Sequence, residues 1–401
     1  MRNHFLPFFE PEITEEEIHA VTESLRSGWL TTGPRVLAFE EAFARFTGAT
    51  HAVALNSCTA ALHLALEAIG LQPGEEVIVP TMTFAATAEV VWYFKARPVL
   101  VDCDPATLNL DPDQVASRLS EKTRAILPVH FAGQPCDLDR IHEIARAHGL
   151  AVIEDAAHAL PAAWDGKTIG TLSDLTCFSF YANKTITTGE GGMVTTENAE
   201  YAERIRRMSL HGISKDAWKR YTAQGTWYYE ILAAGYKYNL PDPAAALGLV
   251  QLKKAETFRG ARERIARRYL EAFAEIPEVT PLEVNARARH AWHLFVVQLD
   301  LARLNIDRNG FIEELKRMNI GSSVHYMPLH LHPFYRDHAG CRPGDYPVAT
   351  RAWECILSLP IYPRMSEADV EDVVTAVKTI VAKHRRSGLE PGRGRGKSLP
   401  A

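Results

Sequence analysis

The sequence has no Cys-x-x-Cys pair. Its six cysteines, Cys58, Cys103, Cys136, Cys177, Cys341 and Cys355, are scattered over 401 residues, which argues against a disulfide frame or zinc site and for reduced core thiols. Cys103 and Cys177 stand in or beside strand-like apolar runs. No apolar stretch approaches the roughly 20 residues that span a bilayer. Met1–Pro7 lacks the apolar region of a secretory signal, so a cytoplasmic location without membrane insertion is expected. An excess of positive charge is missing too: a net charge of -5 offers no basic footprint for nucleic acid. Neither Gly-x-Gly-x-x-Gly nor Gly-x-x-x-x-Gly-Lys-Ser/Thr occurs, which removes two phosphate-binding fingerprints. There is no internal repeat. With 46% apolar and 23% charged residues, the composition is that of an ordinary globular chain, long enough for two domains.

What is present is a rhythm of elements. Thr14-Glu15-Glu16-Glu17 forms a capping box, Ile18, Val21 and Leu25 follow at helical spacing, and Gly28 stops the helix. Trp29–Pro34 reads as a turn with a large aromatic. Strand-like runs then follow at His51–Leu55, Glu76–Val79, Pro98–Val101, Ala125–Val129, Ala151–Asp155, Leu175–Phe180 and Gly192–Thr195. Helical patterns lie between several of them, at Ala60–Ile69, Thr83–Phe94, Asp111–Leu119 and Leu138–His148. This alternation predicts an α/β fold with a mostly parallel sheet covered on both faces, and such sheets bind ligands at the carboxyl ends of their strands. After about residue 240 the pattern changes. A helix over Pro241–Gly260 continues through Ala261–Phe273, followed by a strand at His293–Leu299 and helices at Arg308–Met318 and Glu367–Lys383. The expected division is a large domain over 1–250, a smaller C-terminal α/β domain over 251–386, and a disordered tail over 387–401, rich in Gly, Arg and Pro.

The chemistry centres on Lys184, in Phe178-Ser179-Phe180-Tyr181-Ala182-Asn183-Lys184-Thr185. A strand-like run ends in an acid about 29 residues upstream, at Asp155. A lysine after an apolar strand, with an acid at the end of another strand, fits a pyridoxal phosphate (PLP) site: the amine would hold the cofactor as a Schiff base and the acid would keep the pyridine nitrogen protonated. Without Lys184, Asp155 would read rather as a helix cap or an ion-paired acid. Asn56-Ser57-Cys58-Thr59 follows a strand and opens a helix, either as an anion site or as an ordinary N-cap. Phe84, just past a strand end, is placed for stacking on a ring or for core packing. Ser179 reads as a phosphate donor or a strand serine bonded to backbone, and His158 as a cofactor contact or a core histidine. Gly189-Glu190-Gly191-Gly192 is a flexible loop that lets the chain pass close to a ligand. His325, His330 and His332 cluster around Tyr326, but no carboxylate or Cys completes a metal set, so a substrate-facing loop is expected and no metal.

These runs, in this order, resemble the DegT/DnrJ/EryC1/StrS family of PLP-dependent sugar aminotransferases, of aspartate-aminotransferase-like fold (PLP-dependent transferase fold type I). The resemblance is carried by Ser27–Pro34, Asn56–Leu66, Gly74–Pro80, Ile126–His130, Gly133-Gln134-Pro135, Ile153–His158, Phe178–Met193 and Gly235–Asn239, and it covers roughly residues 5–385. It implies pyridoxal 5'-phosphate as cofactor, with Lys184 as the Schiff-base lysine and catalytic residue and Asp155 as the pyridinium partner. It also implies His158 near the ring hydroxyl, Phe84 on the ring, and Cys58, Thr59 and Ser179 in the phosphate cradle. Asn239 matches an asparagine that reaches the phosphate from the other subunit, which implies a homodimer with shared active sites. Within the family the nearest resemblance is to enzymes that aminate C4 of nucleotide-linked keto sugars with L-glutamate, such as those forming UDP-4-amino-4-deoxy-L-arabinose. Trp29, Thr31, His325 and His330 are candidates for the sugar-nucleotide side, and Lys237 or Arg220 for the nucleotide phosphates. Two runs depart from the pattern: Lys215–Glu230, with Tyr221, Trp227, Tyr228 and Tyr229, and Leu160-Pro161 in place of His-Gly or Val-Gly. A related dehydratase subgroup has His at the lysine position, so Lys184 argues against it, and a non-catalytic sensor would be expected to lose Lys184 or Asp155.

Overall fold

The computed structural model describes residues 2–214 and 228–386. The expectations about Arg220, Tyr221, Trp227 and the tail 387–401 lie outside them. Helix α1 (Glu15–Arg26) begins at the expected capping box on Thr14, and Gly28 closes it with φ 74° and an amide bond to the Leu25 carbonyl. Next come α2 (Pro34–Thr47), β1 (His51–Leu55), α3 (Cys58–Ala68), β2 (Glu76–Pro80), α4 (Ala86–Trp92), β3 (Arg97–Val101), α5 (Pro112–Ser117) and β4 (Thr123–Ile126). After them follow α6 (Leu138–His148), β5 (Ala151–Asp155), the two-residue strands β6 (Ala163–Trp164) and β7 (Lys167–Thr168), β8 (Leu175–Ser179), β9 (Gly192–Thr196) and α7 (Ala199–Met208). Strand β4 ends earlier than its apolar run suggested, because Pro128 has no N–H for the ladder; its carbonyl still accepts from the Asp155 amide at 2.9 Å. Helix α4 starts later than Thr83, whose hydroxyl bonds the Thr87 hydroxyl at 2.7 Å.

Seven strands form one sheet in the order β1-β9-β8-β5-β4-β2-β3. β2, β3, β4, β5 and β8 pair in parallel, and β9 runs antiparallel between β1 and β8. Side chains alternate between the faces. Val53 and Leu55 of β1 join the core under α3, α4 and α7, whereas Ala52 and Ala54 join the core with α2 and the start of the next long helix. A third cluster packs Ile78, Ile126 and Val152 against α5 and α6. Both faces are therefore covered.

Helix α8 (Asp242–Phe273) leads into β10 (Val279–Pro281), β11 (Ala288–Arg289), β12 (Phe295–Leu299), α9 (Arg308–Arg317), α10 (Pro333–Ala339), α11 (Pro347–Cys355), β13 (Ile356–Leu359) and α12 (Glu367–His384). Strands β10, β12 and β13 form a small antiparallel sheet. The anticipated boundary at residue 250 falls inside α8, which runs through it unbroken. The change of core comes later: Phe258 belongs with the large sheet, and Ile265, Tyr269 and Phe273 belong with β10, β12, β13 and α12.

Candidate active site

The pairing registers assemble the site. Gly192 of β9 stands opposite Leu55 at the end of β1 and opposite Ser179 at the end of β8, and Asp155 at the end of β5 stands opposite Cys177. One edge of the sheet thus gathers the start of α3, the end of β5 and the chain leading to Lys184. A Cβ on Gly192 would lie 2.4 Å from the Ser57 carbonyl oxygen and 2.7 Å from the Cys58 nitrogen. This glycine is what lets β9 pass beside the first turn of α3, whose leading amides have no helix acceptors of their own. Ser57 is the N-cap, its hydroxyl oxygen accepting from the Ala60 amide at 3.1 Å. Cys58 and Thr59 therefore offer the available helix-terminal groups.

Lys184 lies on the loop after β8, where its backbone N–H donates a hydrogen bond to the Tyr181 carbonyl at 2.9 Å. The hydroxyl of Thr187 donates to the Phe180 carbonyl, and that of Thr185 to the Leu160 carbonyl. Among the described residues the Lys184 amine has no hydrogen-bond or ion-pair partner. Burial lowers its pKa to about 8, against the opposing charge of Asp155.

Alternation along β5 sends its two acids to opposite faces. Glu154 is taken up by His130 at 2.6 Å and by the Thr176 hydroxyl at 3.0 Å. Asp155 turns to the site, only 4% exposed. One of its oxygens accepts from the Ala157 amide at 3.1 Å and the other from the Thr87 hydroxyl at 2.8 Å. Burial raises its pKa, and those two donors oppose the shift. Thr87 and its neighbour Thr83 were not singled out in the sequence, although two threonines four residues apart around a helix start were a visible signal.

His158 is buried, its Nε2 3.0 Å from the Tyr326 hydroxyl. Its Nδ1 is buried without a partner. Phe84 is 63% exposed, with its ring 6.1 Å from that of Tyr326. Ser179 is half-buried, and its hydroxyl oxygen receives a long 3.4 Å bond from the Tyr181 amide.

The histidine cluster divides. His325 lies within electrostatic reach of Lys184, with Nδ1 2.9 Å from the Ser358 hydroxyl and its ring stacked on Phe8. His330 is fully buried, and both ring nitrogens are engaged, by Thr81 at 2.8 Å and Thr350 at 2.9 Å. It ties α11 to the loop after β2 and presents no free nitrogen to a substrate, contrary to its expected position on the sugar-nucleotide side. Among the described residues no group of His, Cys, Asp and Glu is placed to hold a metal. Trp29 donates from its indole to the Thr32 carbonyl at 3.0 Å, and Thr31 is exposed. Asn239 pairs with Leu55 of its own chain, donates to the Thr32 hydroxyl at 2.8 Å and contacts Lys237.

Comparison with known proteins agrees with this arrangement. The model of the DegT/DnrJ/EryC1/StrS aminotransferase family matches residues 11–378. The chain is 52% identical to an uncharacterized protein of Methanocaldococcus jannaschii, over 96% of this chain and the whole of that one. It is 50% identical to the spore coat polysaccharide biosynthesis protein SpsC of Bacillus subtilis, over 95% of this chain and 98% of that one. Among solved structures, the PLP form of Spr1654 from Streptococcus pneumoniae, described as a sugar aminotransferase, superposes with a TM-score of 0.88 at 35% identity, covering 95% of this chain and 99% of that one. The chain belongs to the DegT/DnrJ/EryC1/StrS aminotransferase family, and its fold is the aspartate-aminotransferase-like PLP-dependent type. Its cofactor is pyridoxal 5'-phosphate. The residues present suit that group: an unpartnered amine, a buried carboxylate, an unsatisfied imidazole nitrogen and a helix start left open by Gly192.

Proposed function

We propose that this aminotransferase moves an amino group from L-glutamate to the keto carbon of a nucleotide-linked sugar, C4 of a UDP-4-keto sugar, yielding the amino-sugar nucleotide and 2-oxoglutarate. The observation that carries the reading is the Lys184 amine, unpartnered among the described residues and within electrostatic reach of the buried Asp155. Kinship with SpsC supports a role in supplying polysaccharide building blocks. C3 of a keto sugar, or a dTDP- or GDP-linked sugar, is the alternative within the same chemistry.

Bound at this edge, the cofactor supplies an electron sink for the carbon that loses a proton. Lys184 holds it between turnovers. With the cofactor bound, the Lys184 amine would be the group that takes a proton from the donor's α-carbon and gives one back, acting as base and then acid. Burial, which brings this amine to a pKa of about 8 in the cofactor-free chain, favours its free-base form. Asp155 carries the negative charge that keeps the ring nitrogen protonated, and the Ala157 amide and Thr87 hydroxyl fix its orientation. Phe84, exposed beside Tyr326, would stack on the cofactor ring. Cys58, Thr59 and Ser179 take the phosphate at the α3 terminus. Asn239 serves the phosphate site of the other subunit, making the working unit a cytoplasmic homodimer with shared sites. Trp29, Thr31 and His325 face the sugar nucleotide, and Lys237, beside Asn239, meets its phosphates.

The test is the visible absorption of the protein loaded with PLP, before and after L-glutamate alone. Bleaching of the lysine-bound band with release of 2-oxoglutarate is expected, followed by amination of one member of a panel of keto-sugar nucleotides, read by mass spectrometry. A band indifferent to glutamate would remove the donor assignment, and no band at all would remove the Lys184 assignment.

A further inference from the structure

Tyr326 follows α9 of the small domain and enters the site of the large one. Its ring lies 6.1 Å from Phe84 and 6.4 Å from Phe131, and it is inclined by 21° to the ring of His158, whose Nε2 is 3.0 Å from its hydroxyl. Either the phenol or an Nε2–H can donate across this contact; the phenol has no other acceptor among the described residues, which favours its proton pointing at Nε2. A neutral imidazole carries one N–H, and with Nε2 accepting, that proton must sit on Nδ1. His158 Nδ1 is buried and unpartnered. The adjacent His293 ring, 4.4 Å away, has an unpartnered Nδ1 of its own and does not satisfy it. A buried N–H without an acceptor is costly, which marks the place of an acceptor brought by a bound group.

We propose that Tyr326 is a positioning residue that fixes His158 as the Nδ1–H tautomer, so that His158 always donates to the ring oxygen of the bound cofactor. This rests on the cofactor assignment above. His158 faces Lys184, His293, His325 and Tyr326, and Tyr326 in turn feels Asp155. Burial and the Lys184 charge hold His158 well below the ordinary histidine range. Burial and Asp155 push the Tyr326 phenol upward. Neither group changes charge near neutrality, so the donor persists. A donor on the ring oxygen favours its anionic form and lowers the proton affinity of the lysine-bound cofactor. The small domain thereby sets a protonation equilibrium in the large one.

Tyr326→Phe removes the hydroxyl and keeps the ring. The pH midpoint of the visible absorption of the PLP-loaded variant should rise by about one unit, a tenfold change in proton affinity. In protein without cofactor, nitrogen NMR of labelled histidines should show His158, assigned by its loss in His158→Gln, as Nδ1–H in the parent and shifted toward Nε2–H in Tyr326→Phe. In the His158→Gln background, Tyr326→Phe should no longer move the midpoint. An unchanged midpoint and tautomer in Tyr326→Phe would overturn the proposal, as would an equal shift without His158. Should Tyr326→Phe not fold, an Nε2–H tautomer in the parent refutes the proposal by itself. Absence of any visible band in the parent would instead overturn the cofactor assignment, while the tautomer still judges the Tyr326–His158 pair.

Discussion

Lys184 and Asp155 make separable demands. Lys184→Ala should lose at least about 10³-fold in turnover if, as proposed, both base and acid steps go through that amine. The fold should survive, because the amine has no hydrogen-bond partner among the described residues; far-ultraviolet dichroism beside a turnover assay checks both. The lowered pKa has a directional consequence. The free amine is the form that captures PLP, and its share grows about tenfold per pH unit below the pKa. Capture by the cofactor-free protein should therefore accelerate with rising pH and level off above about 8. Continued acceleration past that point, as for an ordinary exposed lysine, would contradict the burial argument. Asp155→Ala should weaken cofactor retention and slow both half-reactions in single-turnover measurements. Thr87→Val should do the same more mildly, because the Ala157 amide still holds one carboxylate oxygen.

Elements place these residues, and the tightest placement is β9 against α3. Gly192→Ala would force its Cβ into the Ser57 carbonyl, where backbone and not a flexible side chain must yield. We expect a loss of about 1–3 kcal/mol, typical of overpacking, together with weaker PLP binding as the α3 terminus shifts; thermal unfolding and a PLP titration measure the two. Most elements were legible in the sequence. His51–Leu55, Leu138–His148 and Ala151–Asp155 have their expected bounds. Helix α2 has no counterpart among the helical patterns expected from the sequence, although Pro34 at its first position, Gly48 after its last, and Val36, Phe39, Glu40 and Phe43 on its buried side carry the pattern.

At the scale of the whole molecule, α8 joins the two cores. Buried Arg262 on this helix donates to the Ile361 carbonyl at 2.6 Å and reaches the Trp292 and His293 carbonyls, tying the segment after β13 to the segment beside His158. The proposed homodimer with shared sites gives a further prediction. Lys184→Ala and Asn239→Ala chains, each impaired alone, should recover activity when refolded together, because one site of each mixed dimer then has both native residues. No recovery would place Asn239 in its own chain's site.

The sequence by itself determined the alternation of elements, the two-sided burial of the sheet and the kinds of chemistry available. Local periodicity and turn residues encode these, and they act over a few residues. Which groups meet was decided only by tertiary structure. Glu154 and Asp155 are adjacent acids, and the pleat alone sends one to His130 and the other to the site. His325 and His330 look alike in sequence, yet packing leaves one near Lys184 and occupies both nitrogens of the other. Thr87 reaches Asp155 across 68 residues of chain, and Tyr326 reaches His158 across 168. Contacts of that span leave no periodic trace in the sequence, because they depend on where whole elements come to rest.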